Sequence, residues 1–135
     1  MTPLRVRVAG REAVVRGGPF AALPPGHWSL CLDAANPRAA EADMLLDIPD
    51  FGVPEEAAAR AALDAVLAAL ARGEAVFIGC RAGLGRTGTM LALLLKALGE
   101  ADPVARVRRD YDPRAVETPA QEEFVTRGRP PATVA

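Results

Sequence analysis

The stretch Val76-Phe77-Ile78-Gly79-Cys80-Arg81-Ala82-Gly83-Leu84-Gly85-Arg86-Thr87-Gly88 decides how the rest of the chain is read. It opens as a short apolar run, breaks into a glycine-rich turn and continues into the apolar segment from Thr89 to Leu98. That order predicts a buried strand over 75–79, a tight loop and a buried helix over 86–98. Cys80 and Arg86 stand six positions apart, with Gly83 and Gly85 between them. Glycine permits the left-handed turns that bring successive backbone N–H groups onto one centre. The start of a helix adds its own unpaired N–H groups and the positive end of its dipole. Such a cup takes a tetrahedral oxyanion, and here a thiol stands beside it.

The chemistry of a thiolate nucleophile explains why these residue types belong together. A free thiol titrates near about 8.5, and reactive cysteines titrate between about 3.5 and 7.5. A drop of ~3 units corresponds to roughly 4 kcal/mol, whereas a helix dipole typically supplies about 0.3–1 kcal/mol. Converging amides and a guanidinium, at roughly 1.5–3 kcal/mol per charge-assisted bond, close the gap. Arg86 also offers a planar fork that grips two phosphate oxygens at once, which a lysine does not. Thr87 is placed to donate its hydroxyl to the sulfur and ease its departure as a thiolate.

Cys80-x5-Arg86-Thr87 between a strand and a helix resembles the signature loop of cysteine-dependent protein tyrosine and dual-specificity phosphatases. That family usually carries a histidine immediately before the cysteine; here the position is Gly79. The resemblance covers roughly residues 28–127. It implies Cys80 as nucleophile, with Arg86 and the loop positions Arg81, Ala82, Gly83, Leu84 and Gly85 holding the phosphate. Two rival loops fit less well. A nucleotide-binding loop needs G-x4-G-K-[ST], but Gly85 follows Gly79 one residue too late and Arg86 replaces the lysine. A papain-like pair would have to use His27, the sole histidine, and nothing places it beside Cys80. An inert, buried Cys80 in a glycine turn leaves Arg86 and both glycines unexplained.

Composition sets the frame. The 135 residues suit a single domain with a modest core; half are hydrophobic and 24% charged. A formal net charge of −1 gives no global basic field for nucleic acid or a membrane surface. Cys31 and Cys80 make no disulfide framework, which points to a reducing cytoplasm. No charged-then-apolar leader opens the sequence, and the longest apolar run, Met90 to Leu95, is too short to span a bilayer.

Arg5–Ala9 and Glu12–Arg16 alternate as a short strand pair around Gly10, and 17–27 reads as a Gly/Pro-rich loop. Trp28–Asp33 is the next strand, Asn36-Pro37-Arg38 a turn, and Met44–Ile48 another short strand. Within Pro54–Leu70, Leu63, Val66, Leu67 and Leu70 fall at i, i+3, i+4 and i+7 of an amphipathic helix, opened by Pro54-Glu55-Glu56 and stopped at Gly73. Asp102-Pro103 caps a helix to about Arg109, and Thr118-Pro119 another to about Arg127. The Pro-rich tail 128–135 is expected to fray. Strands alternating with helices argue for an α/β fold with the loop at a strand's carboxyl end. The resemblance implies the compact three-layer phosphatase form, a central mixed sheet with helices on both faces.

A phosphocysteine mechanism needs an acid for the leaving oxygen. Leu46-Asp47-Ile48-Pro49-Asp50-Phe51-Gly52-Val53-Pro54 resembles the family's mobile acid loop, Trp-Pro-Asp in tyrosine phosphatases, with Ile48 in the tryptophan's place. By that match Asp50 is the general acid, and then the base, with Asp47 the alternative; an Asp ahead of a helix is also a common cap. Low-molecular-weight phosphatases place this acid after the cysteine loop, so the order here favours the tyrosine and dual-specificity branch. The segment Arg114 to Phe124 resembles the family's glutamine-bearing segment, which makes Gln121 the residue that places the hydrolytic water. Thr118-x-x-Gln121 is equally a capping box. Arg106, Arg108 and Arg109 read as a solvated helix end. Cys31 reads as core, with a protective disulfide to Cys80 as the alternative, and His27 and Trp28 as loop-to-strand packing.

The expectation is therefore a metal-free phosphomonoester hydrolase with no cofactor. Its partners are phosphorylated proteins, on tyrosine and also serine or threonine, or small phosphomonoesters. A non-catalytic phosphate-binding module remains open, as does a phosphatase for a phosphoinositide, nucleotide or RNA 5′-phosphate.

Overall fold

The computed structural model describes residues 1–127, and the tail 128–135 lies outside the described residues. Five strands, β1 (Leu4–Val8), β2 (Arg11–Pro19), β3 (Trp28–Cys31), β4 (Met44–Leu45) and β5 (Val76–Cys80), form one sheet in the order β1-β2-β5-β3-β4. The β1–β2 hairpin is antiparallel and every other pair is parallel, so the sheet is mixed. The hairpin closes through Ala9 (φ 53) and Gly10 (φ 75). Two positive φ values in a two-residue loop match the twist of the flanking strands. Four helices follow: α1 (Glu56–Ala71), α2 (Gly85–Ala97), α3 (Pro103–Asp110) and α4 (Pro119–Arg127). None is long and apolar enough to cross a membrane.

β5 is buried at every residue because it has a strand on each side and a layer on each face. Its side chains alternate as a pleat requires. Val76, Ile78 and Cys80 join the large cluster to which all four α-helices contribute, while Phe77 packs with Phe20 and Cys31 in a smaller one. That second face is covered by short 3-10 turns at Phe20–Ala22 and Ala39–Glu41. Helices therefore lie on both faces of the sheet, long on one and single-turn on the other.

α1 and α3 start where their caps direct. Glu55 accepts from the Ala57 and Ala58 amides, and Asp102 accepts from Ala105 with Pro103 in the first turn. α2 is different: Gly85 through Leu95 are all buried, and Leu84 at its N-terminus supplies no side-chain cap. A helix apolar on all sides belongs in the core; here it carries the loop with it.

Two strand expectations change. β2 runs on through Gly17-Gly18-Pro19, a stretch whose composition predicts loop, because those residues pair with Ile78, Gly79 and Cys80 of β5. Turn composition yields there to a central partner strand, and the glycines mark close backbone approach. β4 is cut to Met44–Leu45; the chain beyond stays against β3 only through Leu46 N–H to Cys31 O (2.9 Å) and Ile48 N–H to Leu32 O (3.2 Å).

Candidate active site

β5 ends on Cys80 and α2 begins at Gly85, so the intervening loop sits at the carboxyl end of the central strand. Cys80 is 2% exposed, and its Sγ accepts hydrogen bonds from Thr87 Oγ1 (3.0 Å) and Gly83 N–H (3.2 Å). The loop folds down onto β2. Gly83 has φ 80, and a Cβ there would run into the Gly18 backbone. Tyr111, from the end of α3, donates its hydroxyl to Gly83 O at 2.6 Å. The same ring covers Gly17, where a Cβ would meet the Tyr111 hydroxyl at 2.8 Å. Burial, and after it the charge on Cys80, push the Tyr111 phenol above its ordinary value, which keeps it a donor.

Gly79 shows why no histidine precedes the cysteine. A Cβ there would meet the Gly18 carbonyl oxygen, the Phe20 Cα and the Phe77 ring, each at 2.9 Å. Phe20 and Phe77 fill the space that a larger residue at position 79 would need.

Arg86 is 5% exposed, and its guanidinium joins three segments. Nη1 donates to Ile48 O at 2.9 Å and lies 3.8 Å from Asp33 Oδ1; Nη2 lies 3.5 Å from Asp50 Oδ1. The segment 48–50 thus reaches Arg86. Asp50 is exposed, and its Oδ1 also accepts from Phe51 N–H at 3.0 Å. The alternative, Asp47, instead accepts from Ala34 N–H at 2.9 Å and does not line the pocket. Asp33 was not legible as a site residue, since in sequence it is only the end of a strand.

Asp50, Phe51, Cys80, Arg81, Ala82, Arg86 and Glu117 line one surface depression of about 250 Å³. Gln121 is not among them. It is fully buried, its Oε1 accepts from the Glu117 and Thr118 amides (2.9 and 3.2 Å), and its Nε2 donates to Gly52 O at 3.1 Å. Thr118 Oγ1 in turn accepts from Gln121 N–H at 3.1 Å. This is the capping-box geometry, and it ties the start of α4 to the acid loop. Glu117 faces the pocket in its stead. The signal was there: a capping box engages the glutamine and leaves the residue before the threonine to point outward.

The remaining candidates are structural. Arg108 donates to Ala115 O (3.0 Å) and Val116 O (2.8 Å), Arg106 pairs with Glu100 and Asp110, and Arg109 with Asp110. Cys31 packs in the small cluster while Cys80 packs in the large one across the sheet, and burial pushes the Cys31 thiol up. Both are free thiols, and Cys31 lies in register with Gly79, the residue before Cys80. His27 precedes β3, at the end of the sheet opposite Cys80, and Trp28 packs against the large cluster.

A buried cysteine and arginine bracketing a glycine loop, on a mixed sheet with an aspartate alongside, belong to the tyrosine and dual-specificity phosphatase class. The family model described as Swiss Army Knife protein, DSP-PTPase phosphatase domain, matches residues 34–125, and the chain belongs to that family. Two uncharacterized proteins of Methanocaldococcus jannaschii are 37% and 35% identical over 82 residues, 61% of this chain. The chain spans about half the length of these curated relatives, 56% and 52%. The crystal structure of Tk-PTP in its active form superposes with a TM-score of 0.70 at 25% identity, covering 93% of this chain and 96% of that one. PTPMT1 has the same fold at a TM-score of 0.65 and 19% identity, covering 90% and 91%. Kinase associated phosphatase with a serine replacing its catalytic cysteine does too, at 0.65 and 13%, covering 93% of each chain.

Proposed function

We propose that this chain hydrolyses phosphomonoesters through a phosphocysteine intermediate, acting on phosphorylated proteins in the cytoplasm. The observation that carries the reading is the sulfur of Cys80, hydrogen-bonded by Thr87 and Gly83 within a pocket that also holds Arg86 and Asp50. Sγ attacks phosphorus while Arg86, the loop amides and the uncapped start of α2 take the charge of the equatorial oxygens. Asp50 gives its proton to the leaving oxygen. Phosphate bound at Arg86 competes for the guanidinium that Asp50 contacts. Gln121 is a positioning residue that holds the acid loop against α4.

The pocket rim favours protein substrates. Arg81, Ala82 and Phe51 are exposed, so the phosphate site opens to the surface and admits the short reach of phosphoserine or phosphothreonine as well as phosphotyrosine. Phe51, 58% exposed, supplies one aromatic face for a tyrosine ring. The exposed Arg81 supports a second reading, in which the phosphate belongs to a phosphoinositide headgroup.

The test is turnover of p-nitrophenyl phosphate without added metal by wild type, Cys80→Ser and Asp50→Asn, followed by a panel of phosphopeptides and phosphoinositides. Activity abolished in Cys80→Ser and strongly reduced in Asp50→Asn is expected. Vanadate binding without turnover would make the chain a binding module. Preference for the lipid panel would move the substrate to the second reading.

A further inference from the structure

Two carboxylates line the pocket among the described residues, and the first half of this chemistry uses Asp50 and leaves Glu117. Its carboxylate stands over the loop: a Cβ at Gly85 would run into Glu117 Oε1, and would meet the hydrogen-bonded Gln121 amide at 3.1 Å. It therefore sits beside the uncapped N-terminus of α2, where the phosphoryl oxygens are to be held. Among the described residues Glu117 makes no side-chain hydrogen bond or ion pair. Asp50 differs, because its Oδ1 is engaged by the Phe51 amide and lies 3.5 Å from Arg86 Nη2.

The backbone goes to some cost to put Glu117 there. Val116 has φ 61, a left-handed conformation that β-branched residues rarely adopt and that is strained. The segment is held in it on every side. Val116 N–H donates to Leu84 O at 3.1 Å, inside the signature loop. Arg108 grips the Ala115 and Val116 carbonyls, and Gln121 Oε1 takes the Glu117 amide. Strain retained by so many partners, next to a reactive loop, marks a functional position rather than a casual turn.

We propose that Glu117 is the general base of the second half-reaction, in which water hydrolyses the phosphocysteine; the proposal rests on the covalent mechanism above. Once the leaving group has gone, water occupies its place opposite sulfur. The water oxygen forms the new bond to phosphorus and its proton passes to the Glu117 carboxylate. The S–P bond breaks, and its electron pair returns to Cys80 Sγ, where the Thr87 hydroxyl and Gly83 N–H receive the thiolate. Glu117 then releases its proton to solvent as phosphate leaves. Asp50 serves the first step and Glu117 the second, each from its own wall of the pocket.

The experiment is rapid-quench kinetics with a labelled aryl phosphate on wild type, Glu117→Gln, Glu117→Ala, Asp50→Asn and Cys80→Ser. The glutamine keeps the shape and hydrogen bonding of Glu117 and removes only its basicity. Expected for both Glu117 variants are an intact first-turnover burst, steady-state turnover reduced about 100-fold or more, and covalent, alkali-stable phosphoryl label accumulating on Cys80. Asp50→Asn should instead slow the burst. Unchanged steady-state turnover in Glu117→Gln would overturn the role of Glu117 alone, as would reduced turnover without accumulation of label. Full turnover in Cys80→Ser would remove the covalent mechanism and, with it, this proposal.

Discussion

Gly79 and Gly18 face each other across the β2–β5 pair, and a Cβ at position 79 would lie 2.9 Å from the Gly18 carbonyl oxygen. Two glycines in register let the central strand close on its neighbour just before Cys80. The absence of the histidine usual in this class is therefore a packing consequence, felt by Phe20 and Phe77 as much as by Gly18.

Restoring that histidine should harm the protein. Gly79→His forces β5 away from β2, and overpacking of this kind costs typically 1–3 kcal/mol, at times more. A lower urea midpoint together with reduced turnover is expected for Gly79→His, and a smaller loss in the same direction for Gly79→Ala. A variant as stable as wild type would show that the sheet has slack here.

Tyr111 holds the loop from beneath through its 2.6 Å hydrogen bond to Gly83 O. Tyr111→Phe keeps the ring that fills the space over Gly17 and leaves a buried carbonyl without its partner, at a cost of roughly 1–3 kcal/mol. Vanadate affinity should fall along with stability, since Gly83 N–H faces the Cys80 sulfur. Isothermal titration with vanadate beside denaturant melts measures both.

Phe51 sets substrate preference if its exposed ring meets the substrate. Phe51→Ala should lower kcat/KM for a phosphotyrosine peptide several-fold, in line with roughly 0.5–1.5 kcal/mol for an aromatic pair. Turnover of the matched phosphothreonine peptide should change little. Equal losses on both peptides would assign Phe51 to loop conformation instead.

Asp112 makes the fold sensitive to acid. Its carboxylate accepts from the Arg114 side chain and amide, which hold it down at about 2. A folded value below the unfolded one contributes stability that is fully present above the ordinary carboxylate value, near about 3.9. That contribution is lost as pH falls from there through the folded value. Urea midpoints should drop between about pH 4 and 2 in wild type, with a shallower drop in Asp112→Asn.

What was legible in the sequence was local. The Cys80–Arg86 spacing, the glycines between them and the flanking apolar runs prescribe strand, turn and helix, because sterics and burial act over a few residues. Asp102 and Thr118 announce their helices by capping, and both helices start where those residues place them. Asp50 stands out in the sequence between its prolines, and the structure brings it to Arg86.

Tertiary structure decided which distant groups meet. Gly17-Gly18-Pro19 has turn composition and becomes strand only because β5 offers a partner. Asp33 reaches Arg86 across 53 residues of chain, and Arg108 and Leu84 together hold Val116 in the backbone that turns Glu117 toward Gly85. Periodicity and caps report a residue's own segment. A side chain's bearing on the site depends instead on backbone strain and on hydrogen bonds donated from elsewhere in the fold. That is why Gln121, the expected water-placing residue, is consumed by its own cap, and why its neighbour Glu117 is the one left facing the pocket.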